Sequence, residues 1–545
     1  LLDTSNTKKG STSDTSTTRR RPRPDISTMQ NLSSIRSDTV SATPLSIISS
    51  IPSRRTETRL PARLLSRIPA RRPNGIEKAS KNLINFGKTK ELKAGESEKV
   101  TLSWGADEMA SYAYRHDNND GTKGCYILED GTYTISDGKN SHDIYDAKTL
   151  SVSATEVYSA NNPRPSEKDA QSILNADGTL EATPKKTQAD ASATYKAATN
   201  EFQESTDYMS QSSITNLSRA NFSGTFPTAP SSSSKELAEP YLSNYKSLSE
   251  AGFDVKTNAE LGNVSTSKVY DDSEVAVKDS GYPLSNLRGK SYYDPEWDTL
   301  LDQIDYSDST VQSQLVDLLY YGAYKTGELT AVGKISTKDY DGPAGFSTFM
   351  DQNPEFLMNA YCSEVIIASS FNQDLAKEMG ETVGQEALTY GLSGWYAPGM
   401  DMHRSPFGGR NFEYYSEDGV LTGKISSSVL SGSYDEGCYA YIKHFAMNEQ
   451  ETHRMLGSMW ANEQAIREVY LKPFEIAVKE ARGTLKYTSD SKGTKSTKVM
   501  RAATAVMTSF TMIGTTMCSS NYALTNTVLR DEWGFEGMVI TDFGP

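Results

Sequence analysis

From about residue 286 onward, short buried-strand patterns alternate with amphipathic helical ones, and this alternation limits the possible fold more than any other feature of the chain. Phe371-Asn-Gln-Asp opens a helix in which Leu375, Met379, Val383 and Ala387 recur every four residues and so share one face. Trp395-Tyr-Ala-Pro-Gly is strand-like and enters a long loop. A strand over 439–442 precedes a helix over 462–480, and a strand over 505–510 precedes a helix over 522–532 that Gly534 can close in the left-handed conformation. Gly-Met-Val-Ile-Thr-Asp-Phe (537–543) then carries Asp542 to the tip of a buried strand. Repeated β-loop-α units with buried strands argue for a parallel sheet, and polar side chains gathered at strand ends favour a barrel over an open sheet. The Lys-, Ser- and Thr-rich stretch 482–500 reads as a loop inserted before a strand.

Those strand ends carry the candidate chemistry. They are Asp341 in Tyr-Asp-Gly-Pro-Ala-Gly, Arg410 in Pro-Phe-Gly-Gly-Arg-Asn-Phe-Glu-Tyr-Tyr-Ser-Glu-Asp, Lys443-His444 in Tyr-Ile-Lys-His-Phe, the 507–510 segment ending in Phe510, and Asp542. A barrel brings such positions to one pocket however far apart they lie in sequence. The resulting set is two acids, two cations, a histidine and flanking aromatics, with no phosphate-cradling glycine loop and no metal cluster. It suits a neutral, hydroxyl-rich ligand, because charged side chains take paired hydrogen bonds from hydroxyls and aromatic faces cover a ring. The bland alternative is a buried ion-pair network that supports the barrel. Glu413, Glu417 and Asp418 are expected as scaffold partners of nearby cations, and Trp395 and Tyr396 as core.

Upstream the texture differs. Leu83-Ile-Asn-Phe, Val100-Thr-Leu-Ser-Trp, Cys125-Tyr-Ile-Leu and Thr132-Tyr-Thr-Ile are short strands separated by turn residues, as in part of a small β-sandwich over 76–150. Asp117-Asn-Asn-Asp-Gly lacks the spacing and closing Glu of a calcium loop and reads as a hairpin turn. Residues 151–285 read as a connector with some helix around 197–209. Residues 1–75 hold 14 Lys and Arg against 5 Asp and Glu, although the whole chain carries a net charge of −14. A basic arm can bind nucleic acid, but this one has no aromatic residue and no periodicity. It reads as a disordered or foreign extension, with mistranslated sequence as one possible origin.

Composition narrows the remaining options. Four widely spaced cysteines argue for reduced thiols, and five histidines show no helical metal spacing. No apolar run is long enough for a membrane span, and no signal pattern opens the chain, which tips the balance toward the cytoplasm. No nucleic-acid partner and no cofactor are expected.

Three blocks then carry a resemblance: Ala-Pro-Gly-Met-Asp-Met-His-Arg-Ser-Pro-Phe-Gly-Gly-Arg-Asn-Phe-Glu-Tyr-Tyr-Ser-Glu-Asp, Lys-His-Phe-Ala-Met-Asn-Glu-Gln-Glu-Thr, and Trp-Gly-Phe-Glu-Gly-Met-Val-Ile-Thr-Asp-Phe. In this order they resemble glycoside hydrolase family 3, in its β-glucosidase branch, over 286–545. The strand-rich stretch 77–142 is similar to that family's fibronectin type III-like domain, here placed before the barrel as in permuted members. The resemblance implies a fibronectin type III-like β-sandwich followed by a TIM-type α/β barrel, left incomplete because the chain stops three residues after Asp542. It also implies a retaining double displacement on small β-linked oligosaccharides or aryl or alkyl glucosides. Asp542 would be the nucleophile, and Asp341, Arg410, Lys443 and His444 would bind the sugar hydroxyls. The acid/base would come from outside the barrel, and without it turnover is expected to be impaired. The sequence departs from the family pattern at Phe510, where Tyr is frequent, at Thr511 and His453, where Asn is usual, and at Phe543, which replaces Trp but keeps an aromatic face. A β-xylosidase of the same family and a non-catalytic carbohydrate-binding remnant remain as alternatives.

Overall fold

The computed structural model describes residues 45–52, 61–67, 76–185, 194–211, 241, 281–320, 322–348, 358–490 and 492–543. Its centre is a curled half-barrel sheet of six strands. Lys325–Thr326 is an antiparallel edge on Thr337–Asp341, and from there Gly394–Tyr396, Tyr439–Phe445, Ala505–Thr508 and Met538–Ile540 follow in parallel. Gly394–Tyr396 and Ala505–Thr508 are buried throughout, as parallel strands covered on both faces are. In Tyr439–Phe445 every residue after Tyr439 is buried.

The helix Gln373–Tyr390 forms where its apolar period predicts. The Asn372 side chain accepts the Leu375 N–H, and Gly391 closes the other end in the left-handed region. The helix Gly419–Asp435 is capped in the same way by Asp418, whose carboxylate accepts the Val420 and Leu421 N–H groups. These two helices approach so closely that a Cβ at Gly380 would lie 2.1 Å from the Val429 carbonyl oxygen, and one at Gly432 would lie 2.2 Å from that of Lys377. The expected 462–480 helix is broken into a short turn Glu463–Ala465, a π-helical turn Ile466–Tyr470 and a helix Lys472–Glu480 with Pro473 in its first turn. Proline there lacks the N–H that a continuous helix would need.

Composition misleads in three places. Within the expected disordered segment 1–75, Leu45–Pro52 pairs with Ser97–Trp104, and Pro61–Arg67 inserts between Asn82–Lys88 and Gly131–Gly138. Sheet edges offer unpaired backbone groups that an extended segment can meet whatever its composition. The expected connector is partly structured and packed. Pro165–Gln171 lies on the barrel helices, Ser172–Leu174 pairs with Leu180–Pro184, and Gln203–Gln211 is a helix. The rest of 151–285 lies largely outside the described residues. The expected loop at 482–500 is an antiparallel hairpin of Arg482–Thr488 with Lys495–Arg501. The Asp490 carboxylate closes its turn by accepting the Lys492 and Thr494 N–H groups, and strand pairing outweighs polar composition.

The strands over 82–157 enclose their own apolar core, with Ile84, Leu102, Trp104, Tyr112, Leu128, Tyr133 and Ile135 packed together. Two buried arginines tie it to the half-barrel. Arg164 bonds Glu167 and Glu475 while lying 3.6 Å over the Tyr126 ring, and Arg467 bonds Glu463 and Glu532 beneath Tyr112. No helix among the described residues is long and apolar enough to cross a membrane.

Candidate active site

Parallel strands end on the same side of a sheet, so the candidate residues meet there although their loops differ. Asp341 ends its strand and remains partly open to solvent. Its Oδ1 accepts from the Lys443 ammonium at 2.7 Å, and the same ammonium lies 3.4 Å from Glu413 Oε1. Glu413 in turn takes a two-pronged pair from Arg410, Nε to Oε2 at 3.0 Å and Nη2 to Oε1 at 2.5 Å. Arg410 Nη1 also faces Glu451 at 3.5 Å, and Glu451 holds Arg454 at 2.8 Å. Two carboxylates therefore hold Lys443 and two hold Arg410. That is what lets such charges stay largely out of water.

His444 follows Lys443, and its Nε2 lies 3.7 Å from Asp542 Oδ2. Burial and the nearby Arg410, Lys443 and Arg454 cations hold the imidazole well below its usual pKa, so it is neutral. Burial pushes the Asp542 carboxyl up to about 6, against the pull of Lys443, Arg410 and Arg454, with Asp341 adding to the rise. Asp542 is thus an ionisable carboxylate in a partly dry, cation-rimmed recess.

The two candidate aromatics occupy different walls. Phe543 has a left-handed φ of 47°, stacks on Tyr324 at 5.5 Å and tilts against Tyr396 at the same distance. It remains 41 % exposed, which leaves ring area open to a ligand. Phe510 lies under Arg454, whose guanidinium carbon is 4.7 Å from the ring centre. Phe510 carries no hydroxyl, and its neighbour Thr511 turns its own inward to Ser509 and the Ala446 carbonyl. Trp395 and Tyr396 are fully buried core, as expected, whereas Asp418, expected as a partner of a cation, caps a helix instead because its carboxylate accepts the Val420 and Leu421 N–H groups. Glu413 is the scaffold partner that the sequence suggests, whereas Glu417 makes no ion pair among the described residues.

Sequence reasoning missed four groups around this site. Asp401 is buried behind His444 and accepts two backbone N–H groups. Glu364 is buried and accepts the Gly399 N–H through both oxygens. Glu449 is buried beside Asp401, and Tyr414 contacts His444. All four lie on loops or at helix ends where no periodicity marks them. An acid inside an otherwise apolar or glycine-rich block, as in Ala-Pro-Gly-Met-Asp-Met, was the available signal.

Residues 360–491 match the glycosyl hydrolase family 3 N terminal domain, a span that includes Arg410, Lys443 and His444. β-Glucosidase A of Butyrivibrio fibrisolvens is 35 % identical over 217 residues, covering 40 % of this chain and 24 % of that protein. β-Glucosidase B of Emericella nidulans is 35 % identical over 239 residues, covering 43 % and 25 %. In fold, the crystal structure of a β-glucosidase from Paenibacillus barengoltzii aligns with a TM-score of 0.60 at 23 % identity, over 93 % of this chain and 46 % of that one. The chain spans about a quarter of the length of the curated relatives it matches. Residues 360–491 are thus similar to the glycosyl hydrolase family 3 N terminal domain, and the fold is similar to that of a β-glucosidase.

Proposed function

We propose that this chain carries the glycone site and nucleophile of a retaining exo-glycosidase that removes terminal β-D-glucosyl residues from small β-glucosides. The observation that carries this reading is the convergence of Asp341, Arg410, Lys443, His444 and Asp542 at one end of the half-barrel, with His444 Nε2 3.7 Å from the Asp542 carboxylate. The β-glucosidases among its relatives support the substrate class.

In this reading Asp341, Arg410, Lys443 and His444 hydrogen-bond sugar hydroxyls, with Glu413 and Glu451 holding the two cations in place, and Phe543 and Phe510 flank the ring. Ionised Asp542 attacks the anomeric carbon, forming a carbon–oxygen bond as the glycosidic bond breaks. A separate carboxylic acid gives its proton to the departing oxygen. The same group then takes a proton from water, which attacks the glycosyl–Asp542 ester, restores the carboxylate and releases glucose with its configuration retained. The cations near Asp542 favour its ionised, attacking form, while partial burial keeps it reactive. Fibronectin type III-like character of the 76–150 sandwich, placed ahead of the barrel, belongs to the same proposal.

The test is covalent trapping. A 2-deoxy-2-fluoro-β-glucoside should leave its sugar on the peptide containing Asp542, and Asp542→Asn should abolish labelling while the circular dichroism spectrum is unchanged. Recovery of the sugar on another residue would overturn the assignment.

A further inference from the structure

Asp401 lies in the loop after Gly394–Tyr396, and only 1 % of its surface is exposed. Its Oδ2 accepts the His444 backbone N–H at 2.8 Å and its Oδ1 accepts that of Asn448, also at 2.8 Å. One carboxyl therefore clamps both ends of the segment from His444, near the end of its strand, to Asn448, beyond the following turn. The same Oδ2 lies 3.4 Å from His444 Nδ1, while the Tyr414 hydroxyl approaches that nitrogen at 3.3 Å. On its far side the ring turns Nε2 toward Asp542.

A neutral imidazole carries one ring proton, and the partner of one nitrogen decides which nitrogen bears it. With the proton on Nε2, the ring donates toward the Asp542 carboxylate. With the proton on Nδ1, an Nε2 lone pair faces that carboxylate and repels it. We infer that Asp401 is a positioning residue that selects the tautomer of His444, and through it decides whether Asp542 meets a donor or a lone pair.

The two states follow from the charge on Asp401. Protonated, its hydroxyl can donate to Nδ1, leaving the ring proton on Nε2. Ionised, Asp401 accepts from Nδ1–H, so one proton leaves to solvent and the ring proton changes nitrogen. The titratable and charged groups facing Asp401 are His444, Arg410, Glu413, Tyr414, Glu449 and Cys518. Burial outweighs its two N–H donors and Arg410 and pushes the Asp401 carboxyl up to about 7. The tautomer preference should therefore change near neutral pH. What Asp542 does with that donor rests on the glycosidase reading, but the tautomer itself does not.

The experiment is nitrogen NMR on the full chain labelled with ¹⁵N-histidine, titrated from about pH 5 to about pH 9, with His444→Gln to assign the signals. The His444 resonances should report Nε2–H at the acid end and Nδ1–H at the alkaline end. In Asp401→Asn the amide N–H can donate to Nδ1 at every pH, so Nε2–H should persist throughout. Across the same range glucose affinity should fall about tenfold more in the parent than in the variant, the loss expected for one hydrogen-bond donor, because Asp542 titrates in both proteins and Asp401 only in the parent. A single His444 tautomer across the titration of the parent would overturn the inference, even if Asp401→Asn does not fold. An unchanged switch in a folded Asp401→Asn would do the same. A tautomer switch without glucose binding would support the positioning role and count against the glycosidase reading.

Discussion

At the scale of single residues the site is a balance of charges around Asp542. Burial raises its carboxyl, and Lys443 is the foremost of the cations pulling the other way. Replacing Lys443 with methionine removes that pull, so the Asp542 carboxyl should titrate above about 6, as read by ¹³C carboxyl shifts without any need for turnover. A downward shift would refute the charge model. Asp341 contributes differently, as a half-open acceptor already held by Lys443. Asp341→Ala should weaken glucose binding by about 1–3 kcal/mol in calorimetry, since a hydroxyl partner is lost and Lys443 is left with Glu413 alone. Asp341, Lys443, His444 and Asp542, at or just past strand ends, and Arg410, expected at a strand end but held in the long loop after Gly394–Tyr396, stood out because each interrupts an apolar run or sits in a distinctive block. Asp401 and Glu364 did not, because an acid that serves backbone N–H groups inside a loop leaves no pattern of spacing.

Among the elements, legibility followed periodicity. The start of Gln373–Tyr390 could be drawn from Phe371-Asn-Gln-Asp and the four-residue apolar repeat that follows, and the strands Tyr439–Phe445, Ala505–Thr508 and Met538–Ile540 from their apolar runs. The 482–501 hairpin and the strand Leu45–Pro52 could not be drawn, because their partners, and not their own composition, make them strands. The contact between Gln373–Tyr390 and Gly419–Asp435 gives a sharper consequence. Alanine usually stabilises a helix interior over glycine by about 1 kcal/mol. At Gly380 the added methyl would meet the Val429 carbonyl oxygen at 2.1 Å, and that atom belongs to helix backbone and cannot swing aside. Overpacking of about 1–3 kcal/mol should win, so Gly380→Ala should lower the denaturation midpoint. A midpoint equal to or above the parent's would mean that the helices can part without cost.

Across the whole molecule, the join between the upstream strands and the half-barrel depends on charges that no sequence pattern could pair, since Arg164 and Glu475 lie 311 positions apart. Arg164 is sandwiched between the Tyr126 ring and the Glu167 and Glu475 carboxylates, with only 3 % of its side chain exposed. Glu475 would be raised by its burial, but Lys472, Lys479 and Arg164 together draw it well below its ordinary range. A carboxylate depressed in the folded state contributes stability above its unfolded pKa and loses it as pH falls through the folded value. Arg164→Ala removes one of three cations from Glu475, the sole ion-pair partner of Glu167 among the described residues, and the platform against Tyr126. Breaking a buried pair from one side costs about 3–5 kcal/mol, whereas the exposed Lys486–Glu436 pair should contribute no more than about 1 kcal/mol. Urea denaturation of Arg164→Ala near neutral pH should therefore show a loss several times that of Lys486→Ala. The gap should narrow in acid, where protonation of Glu475 removes the reason for the pair. Equal losses for the two variants, or a gap that widens as pH falls, would show that packing against Tyr126, and not the buried charge, holds the two parts together.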